Sequence, residues 1–195
     1  MKRHVLLAVT LAVMAVPALA QFSDSYNFLK AVRERDGAKA SEIVASPSST
    51  AINARENGSG EGALHIVTRG RDLGWLNFLL ARGARPDLQD NQGNTPLTLA
   101  AQIGWAEGAE QLLARRANVN LSNGRGETAL ILAVQRRDIV LTRLLLGQGA
   151  DPNRTDSVAG LSALDYARRD SRAAAILRLL QAPRQRIIQN YGPPR

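Results

Sequence analysis

Cysteine is absent from all 195 residues, which removes disulfides, thiolate metal sites and cysteine nucleophiles together. Aromatic residues make up only 4%. Any core must therefore be built from leucine, alanine, valine and isoleucine, a composition that favours helices over sheets. Histidine occurs only at His4 and His65. Lysine beyond Lys2 is confined to Lys30 and Lys39, and no nearby serine forms a recognisable dyad with either.

Long apolar runs are also missing, with one exception at residues 5–16. The basic start "MKRH" precedes it, and Ala18 and Ala20 flank Leu19 just after it. Residues 1–20 therefore read as a secretory signal peptide cut after Ala20. A twelve-residue helix spans roughly 18 Å, well short of a roughly 30 Å hydrocarbon core. A membrane anchor is thus not expected, and Gln21 stands where a lipoprotein would need cysteine. The expected product is an exported soluble protein, in a bacterial periplasm or, as the alternative, secreted. His65 would be its only histidine, which excludes multi-histidine metal sites. The formal charge is +8, and it is unevenly placed. Residues 21–110 carry nine basic and eleven acidic side chains, whereas residues 111–195 carry fourteen and six. Such asymmetry steers acidic partners.

The chain repeats itself. Leu64, Leu97, Leu130 and Leu164 are spaced by 33, 33 and 34 residues, within "EGALHIV", "NTPLTLA", "ETALILA" and "LSALDYA". Fifteen residues after each comes a leucine pair, at 79–80, 112–113, 145–146 and 179–180. "ARGARPD", "ARRANVN" and "GQGADPN" follow the first three pairs. Thr95 suits an N-cap, Pro96 the first helical position, and Gly104 the close of a short helix. Neither helix of such a unit buries its apolar stripe alone, so copies must stack.

The pattern resembles the ankyrin repeat, with T-P-L-H-x-A followed by L-L-x-x-G-A-D-x-N at a period of 33. The resemblance implies an all-α solenoid of about five helix-turn-helix units joined by β-turn fingers. Residues 27–56 look like a degenerate N-terminal copy, with Leu29 in the anchor slot and Ile43-Val44 in the pair slot. The copies are then expected at about 57–89, 90–122, 123–155 and 156–182, within an array over 21–182. A basic, proline-containing tail at 183–195 follows, where Ile187-Ile188 is a candidate to dock on the last repeat. Four departures stand out. Gly62 and Ser162 replace the capping threonine, so weaker caps are expected at both ends. The histidine slot keeps its histidine only at His65. Arg116 stands where the neighbours have Gly83 and Gly149, and the turn 155–162 has one extra residue.

Little points to catalysis. The resemblance implies a structural His65, hydrogen-bonded between repeats, rather than a catalytic one. "GSGEG" at 58–62 suggests a phosphate loop, but it lacks the following Lys-Ser/Thr pair and sits at a finger tip. "DLQDNQGN" at 87–94 lacks the alternating carboxylates of a calcium loop. Glu107 and Glu110 lie at helical spacing and are expected to be solvated. Arginines without interleaved aromatics do not indicate nucleic-acid binding. No catalytic, cofactor or metal residues are assigned.

The family's mode of action implies a non-catalytic protein-binding module, monomeric, acting as an exported scaffold or adaptor. An accessory role stabilising or regulating one exported enzyme is the alternative. Contacts would come from finger tips and the exposed face of the first helices. Carried over by period, these are Gln89, Asn91, Gln92 and Asn94, then Gln102 and Ile103. One repeat on come Ser122, Arg125, Gln135 and Arg136, with Arg69, Thr155 and Arg169 in flanking copies. Trp105 stands either as a partner anchor or as a cover for the core edge, while Trp75 is expected in the core.

Overall fold

The computed structural model describes residues 16–46 and 49–182. Ten α-helices form five pairs among the described residues: α1 (Val16–Glu34) with α2 (Gly37–Ala45), α3 (Ala63–Arg69) with α4 (Leu73–Ala81), α5 (Pro96–Ile103) with α6 (Ala106–Ala114), α7 (Ala129–Gln135) with α8 (Ile139–Gly147), and α9 (Ala163–Arg169) with α10 (Ala174–Gln181). The first helices pack in the order α1, α3, α5, α7, α9, and the second helices in the order α4, α6, α8, α10. From α2 onward every helix has seven to nine residues. Helices this short are unstable alone in water, so stacking is what holds them. Most of the expected signal segment lies outside the described residues, as does Ile187-Ile188.

The repeat explains where the core lies. Leu64, Leu97 and Leu130 are buried, as are the leucine pairs at 79–80, 112–113 and 145–146. The centre of the stack is the most enclosed. In α7, all residues from 129 to 134 are buried, as suits a helix apolar on every face. At the ends the same slots are covered unevenly: Leu29 and Leu180 are buried, whereas Ile43, Val44, Leu164 and Leu179 pack against the core but are not enclosed by it. A terminal unit has a neighbour on one side only.

Three of the first helices start on a capping hydroxyl at the expected position. Thr95 Oγ1 accepts from Thr98 N at 3.1 Å, Thr128 Oγ1 from Ile131 N at 3.3 Å, and Ser162 Oγ from Asp165 N at 3.2 Å. The last cap corrects the expectation of weakening there. Asp165 Oδ2 also accepts from Ser162 N at 3.1 Å and from Ser162 Oγ at 2.6 Å, completing a reciprocal box. Those two bonds, hydroxyl first, hold the Asp165 carboxyl below its ordinary pKa. Gly62 has no capping side chain, but its N–H donates to His65 Nδ1 at 3.2 Å.

The turn inside each pair holds a regularity of its own. Arg35, Arg71 and Arg137 all have positive φ (60, 50 and 58°). Each is followed by an aspartate that N-caps the second helix, accepting from Lys39 N, Trp75 N and Leu141 N at 2.9–3.0 Å. The third unit uses Gly104, also left-handed at φ 67°, and Trp105 instead. The left-handed arginines reach into the next unit. Arg35 pairs with Asp72 at 2.7 Å, Arg71 donates to the Ile103 carbonyl, and Arg137 pairs with Asp170 at 3.1 Å. Arg116 is left-handed as well, at φ 64°, as its slot between Gly83 and Gly149 leads one to expect.

Candidate partner-binding groove

The fingers between units are joined edge to edge by their backbones. Asn91 N donates to Ser59 O at 2.9 Å, Gly124 N to Gln92 O at 2.8 Å, and Ser157 N to Arg125 O at 2.8 Å. In three of the fingers an Asx side chain closes the tip, whereas in the first Ser59 Oγ accepts from Glu61 N at 3.1 Å and donates to Glu56 at 2.7 Å. Asp90 Oδ1 accepts from Gln92 N and Asn94 N, both at 2.8 Å. Asn123 Oδ1 accepts from Arg125 N and Glu127 N at 2.9 and 3.0 Å, and Asp156 Oδ1 from Val158 N and Ala159 N at 2.8 and 2.6 Å. The extra residue in the turn 155–162 is absorbed at this point. The bond closing the finger spans five residues, from Asp156 N to Leu161 O, where Asp90 N reaches only to Asn94 O.

His65 ties a first helix to the neighbouring finger. Its Nδ1 accepts from Gly62 N, and Nε2 lies 2.9 Å from the Asn94 carbonyl, an arrangement that fits the neutral ring with hydrogen on Nε2. The ring is fully buried. Burial pushes its pKa down, partly opposed by the Asn94 carbonyl. Both ring nitrogens are engaged in bracing. The glycines of "GSGEG" form the finger tip: Gly58 and Gly60 take positive φ, and Gly60 O accepts from Arg55 Nε at 3.1 Å.

Between fingers and first helices runs an open groove of about 800 Å³, centred on the third and fourth units. Its lining gathers seven of the residues expected at a partner: Asn91, Gln92, Asn94, Gln102, Arg125, Gln135 and Arg136. Asn123, Glu127 and Leu132 join them. These three escaped the reading by period, although Asn123 repeats the Asx slot of Asp90 one period on. Seven expected contacts lie outside this lining: Gln89, Ile103 and Trp105, Ser122 beside the groove, and Arg69, Thr155 and Arg169 in the flanking units. Arg69 is tied to Glu61 at 2.5 Å. Thr155 bridges to Ser162 at the base of its finger, and Arg169 is exposed.

Several of these side chains are already occupied. Gln89 Nε2 donates to Gly93 O and Ser122 O at 2.8 and 3.1 Å. Asn91 Nδ2 donates to Gly58 O at 2.7 Å, and its Oδ1 accepts from Arg55 at 3.0 Å. Asn94 is buried, and its amide donates to Asp90 Oδ2 at 3.0 Å and Gln92 Oε1 at 3.2 Å. Asn94 therefore braces the finger and is not free for a partner. Ile103 is half-buried against the core.

Trp105 resolves as core cover. It is only 5% exposed, and its ring lies where a Cβ on Gly108 would approach within 2.1 Å of Cε3. A glycine three residues on thus opens the slot that takes the indole. That contact removes Trp105 from the partner surface. Trp75 is half-buried, edge-on to Phe78 with centroids 5.1 Å apart, and Arg35 lies over it.

Arg136 has a distinct setting. Its Nη1 donates to the Gln102 carbonyl at 3.1 Å, and the guanidinium lies against Gly104, where a Cβ would meet Nη2 at 2.8 Å. Arg125 has Glu127 at 3.6 Å as its carboxylate partner. The Tyr166 hydroxyl donates to Asp156 at 2.8 Å, and that bond is the chief cause of its raised pKa.

The family model for ankyrin repeats in three copies matches residues 64–156 and again 102–189. These two matches together span more than half of the chain and take in both walls of the groove. With five stacked helix pairs, fingers joined edge to edge, and a histidine bracing one unit against the next, the chain belongs to the ankyrin-repeat family, whose members are generally protein-binding modules.

Proposed function

We propose that this protein is an exported, non-catalytic scaffold or adaptor that binds another protein through the groove. The observation that carries the reading is the convergence of Gln102, Arg125, Gln135 and Arg136, two periods' worth of exposed side chains, on one preformed concavity. The fingers are locked by their own backbone bonds, so little conformational entropy is lost on association. The basic C-terminal half favours an acidic partner surface. The signal-like N-terminus supports export, with the bacterial periplasm as the proposed compartment and a monomer as the working unit.

Crosslinking in the native compartment tests this. The wild-type chain is expected to capture one dominant protein, and Arg125→Gln with Arg136→Gln to lose it while keeping the wild-type melting temperature. Absence of any specific capture, or capture unaffected by the two substitutions, overturns the reading. A captured enzyme whose activity falls on deletion of this chain identifies the accessory role.

A further inference from the structure

We infer that the groove reads an extended peptide segment that carries a carboxylate, and not a folded acidic surface. The inference rests on the protein-binding reading above and names the partner's form. The lining is almost wholly polar. Leu132 is its one large apolar residue, only 8% exposed, and no aromatic side chain contributes. A groove of this kind offers no stacking surface for a base or a sugar ring, and no pocket for an apolar anchor.

What it offers is carboxamides. Gln102 and Gln135, one period apart, stand on the adjacent first helices α5 and α7 as exposed side chains on the groove wall. A carboxamide presents a donor and an acceptor together. The main chain of an extended peptide presents the same two groups in alternation, and leaves both free when it is not paired in a sheet. A folded surface has already used most of its main-chain groups internally. The match between wall and ligand is therefore to backbone, with side-chain choice left to the cations.

Arg136 is the cation placed to make that choice. The contacts that hold it are a neutral carbonyl, Gln102 O, and the bare face of Gly104. The guanidinium is thus positioned without being neutralised, and of its five N–H donors one is spent on Gln102. Arg125 lies on the opposite, finger side, partly balanced by Glu127 at 3.6 Å. Of the two, Arg136 is the cation without a carboxylate partner among the described residues, so it is the one an entering carboxylate can pair with unopposed. Gly104 has a double role: its left-handed backbone turns the chain, and its missing side chain leaves the space that Arg136 occupies.

The test uses the whole chain and three fluorescein-labelled pools of random heptapeptides, whose central residue is fixed as Glu, Gln or Lys. Fluorescence anisotropy is expected to show the Glu pool binding about tenfold tighter than the Gln pool, as one charge-assisted bidentate contact provides, with the Lys pool weakest. Arg136→Gln should erase the preference for Glu. Gly104→Ala should weaken that preference by displacing the guanidinium with its charge intact. Gln102→Ala with Gln135→Ala should lower binding of all three pools together and leave their order unchanged. Melting temperatures close to wild type for the arginine and glutamine variants, and a cooperative but lower melt for the left-handed Gly104→Ala, establish that each variant is folded. Equal binding of the three pools, or a Glu preference that survives in Arg136→Gln, overturns the inference. If crosslinking captures a partner through Arg125 and Arg136 while the pools are not discriminated, the protein-binding reading stands and the extended-peptide reading falls.

Discussion

Two buried side chains show how one atom decides a residue's contribution. Thr68 is fully buried, and its Oγ1 has no hydrogen-bond partner. An unpaired buried hydroxyl costs about 1–3 kcal/mol, so Thr68→Val, which keeps the shape and removes the oxygen, should raise stability by about 1 kcal/mol in urea unfolding. His65 is the opposite case, with both ring nitrogens engaged. A proton on Nδ1 would face the Gly62 N–H, and burial already disfavours the charged ring. The folded-state pKa therefore lies below the unfolded value of about 6.5, and the unfolded chain binds the proton more readily. Stability due to His65 is complete above about pH 6.5 and is lost as pH falls below it. Melting curves between pH 7.5 and 5 should show this decline, and His65→Gln should flatten it. Asp165 and Asp170, whose pKa values are lowered, lose their contributions only at lower pH.

Among the short elements, the left-handed arginines sort into two kinds. Arg137 takes positive φ and uses its side chain to reach Asp170 across the stack. Arg116 takes positive φ at an exposed position after α6. A side chain in that region costs about 1 kcal/mol relative to glycine. Arg116→Gly is therefore expected to stabilise by up to about 1 kcal/mol. Arg137→Gly gains the same relief and loses its link to the next unit, so its net gain should be smaller or reversed. Chemical denaturation of the two variants side by side decides this; equal gains would show that the Arg137–Asp170 pair contributes nothing. The dipeptide behind these turns is legible in the sequence, since Arg-Asp recurs at 35–36, 71–72 and 137–138; it stands also at 169–170, where the arginine does not take positive φ. Apolar periodicity does not expose it, and propensity disfavours arginine in a left-handed turn.

Over the whole array, each unit touches only its neighbours, so stability is a sum of unit and interface terms. The central helices α5 and α7 are enclosed on both sides, while Ile43, Val44 and Leu179 at the ends are half-covered. Native-state hydrogen exchange should therefore be slowest in α5 and α7 and fastest in α2 and α10. Uniform protection across all five pairs would instead indicate one indivisible cooperative unit. The groove lies over the most enclosed stretch, α5 and α7, which favours a rigid recognition surface.

The sequence alone determined the period, the paired short helices, the Thr95-Pro96 start, the helix close at Gly104 and the glycine slot that Arg116 fills. Each follows from local chemistry: capping groups, a missing amide hydrogen, an absent Cβ, and apolar spacing that repeats. Tertiary structure alone decided which polar residues are free. Gln89, Asn91 and Asn94 have the composition of contact residues, yet bonds to Gly93, Gly58 and Asp90 hold them in the finger framework. Trp105 has the chemistry of an anchor, yet the space above Gly108 draws it inward. Arg136 looks like any surface arginine until Gly104 and the Gln102 carbonyl are seen to hold it without neutralising it. Some of these outcomes are local, Gln89 with Gly93 and Asn94 with Asp90, while Asn91 with Gly58 and Arg136 with Gln102 meet across 33 and 34 positions; a period places such residues side by side without showing which of their donors and acceptors have found each other.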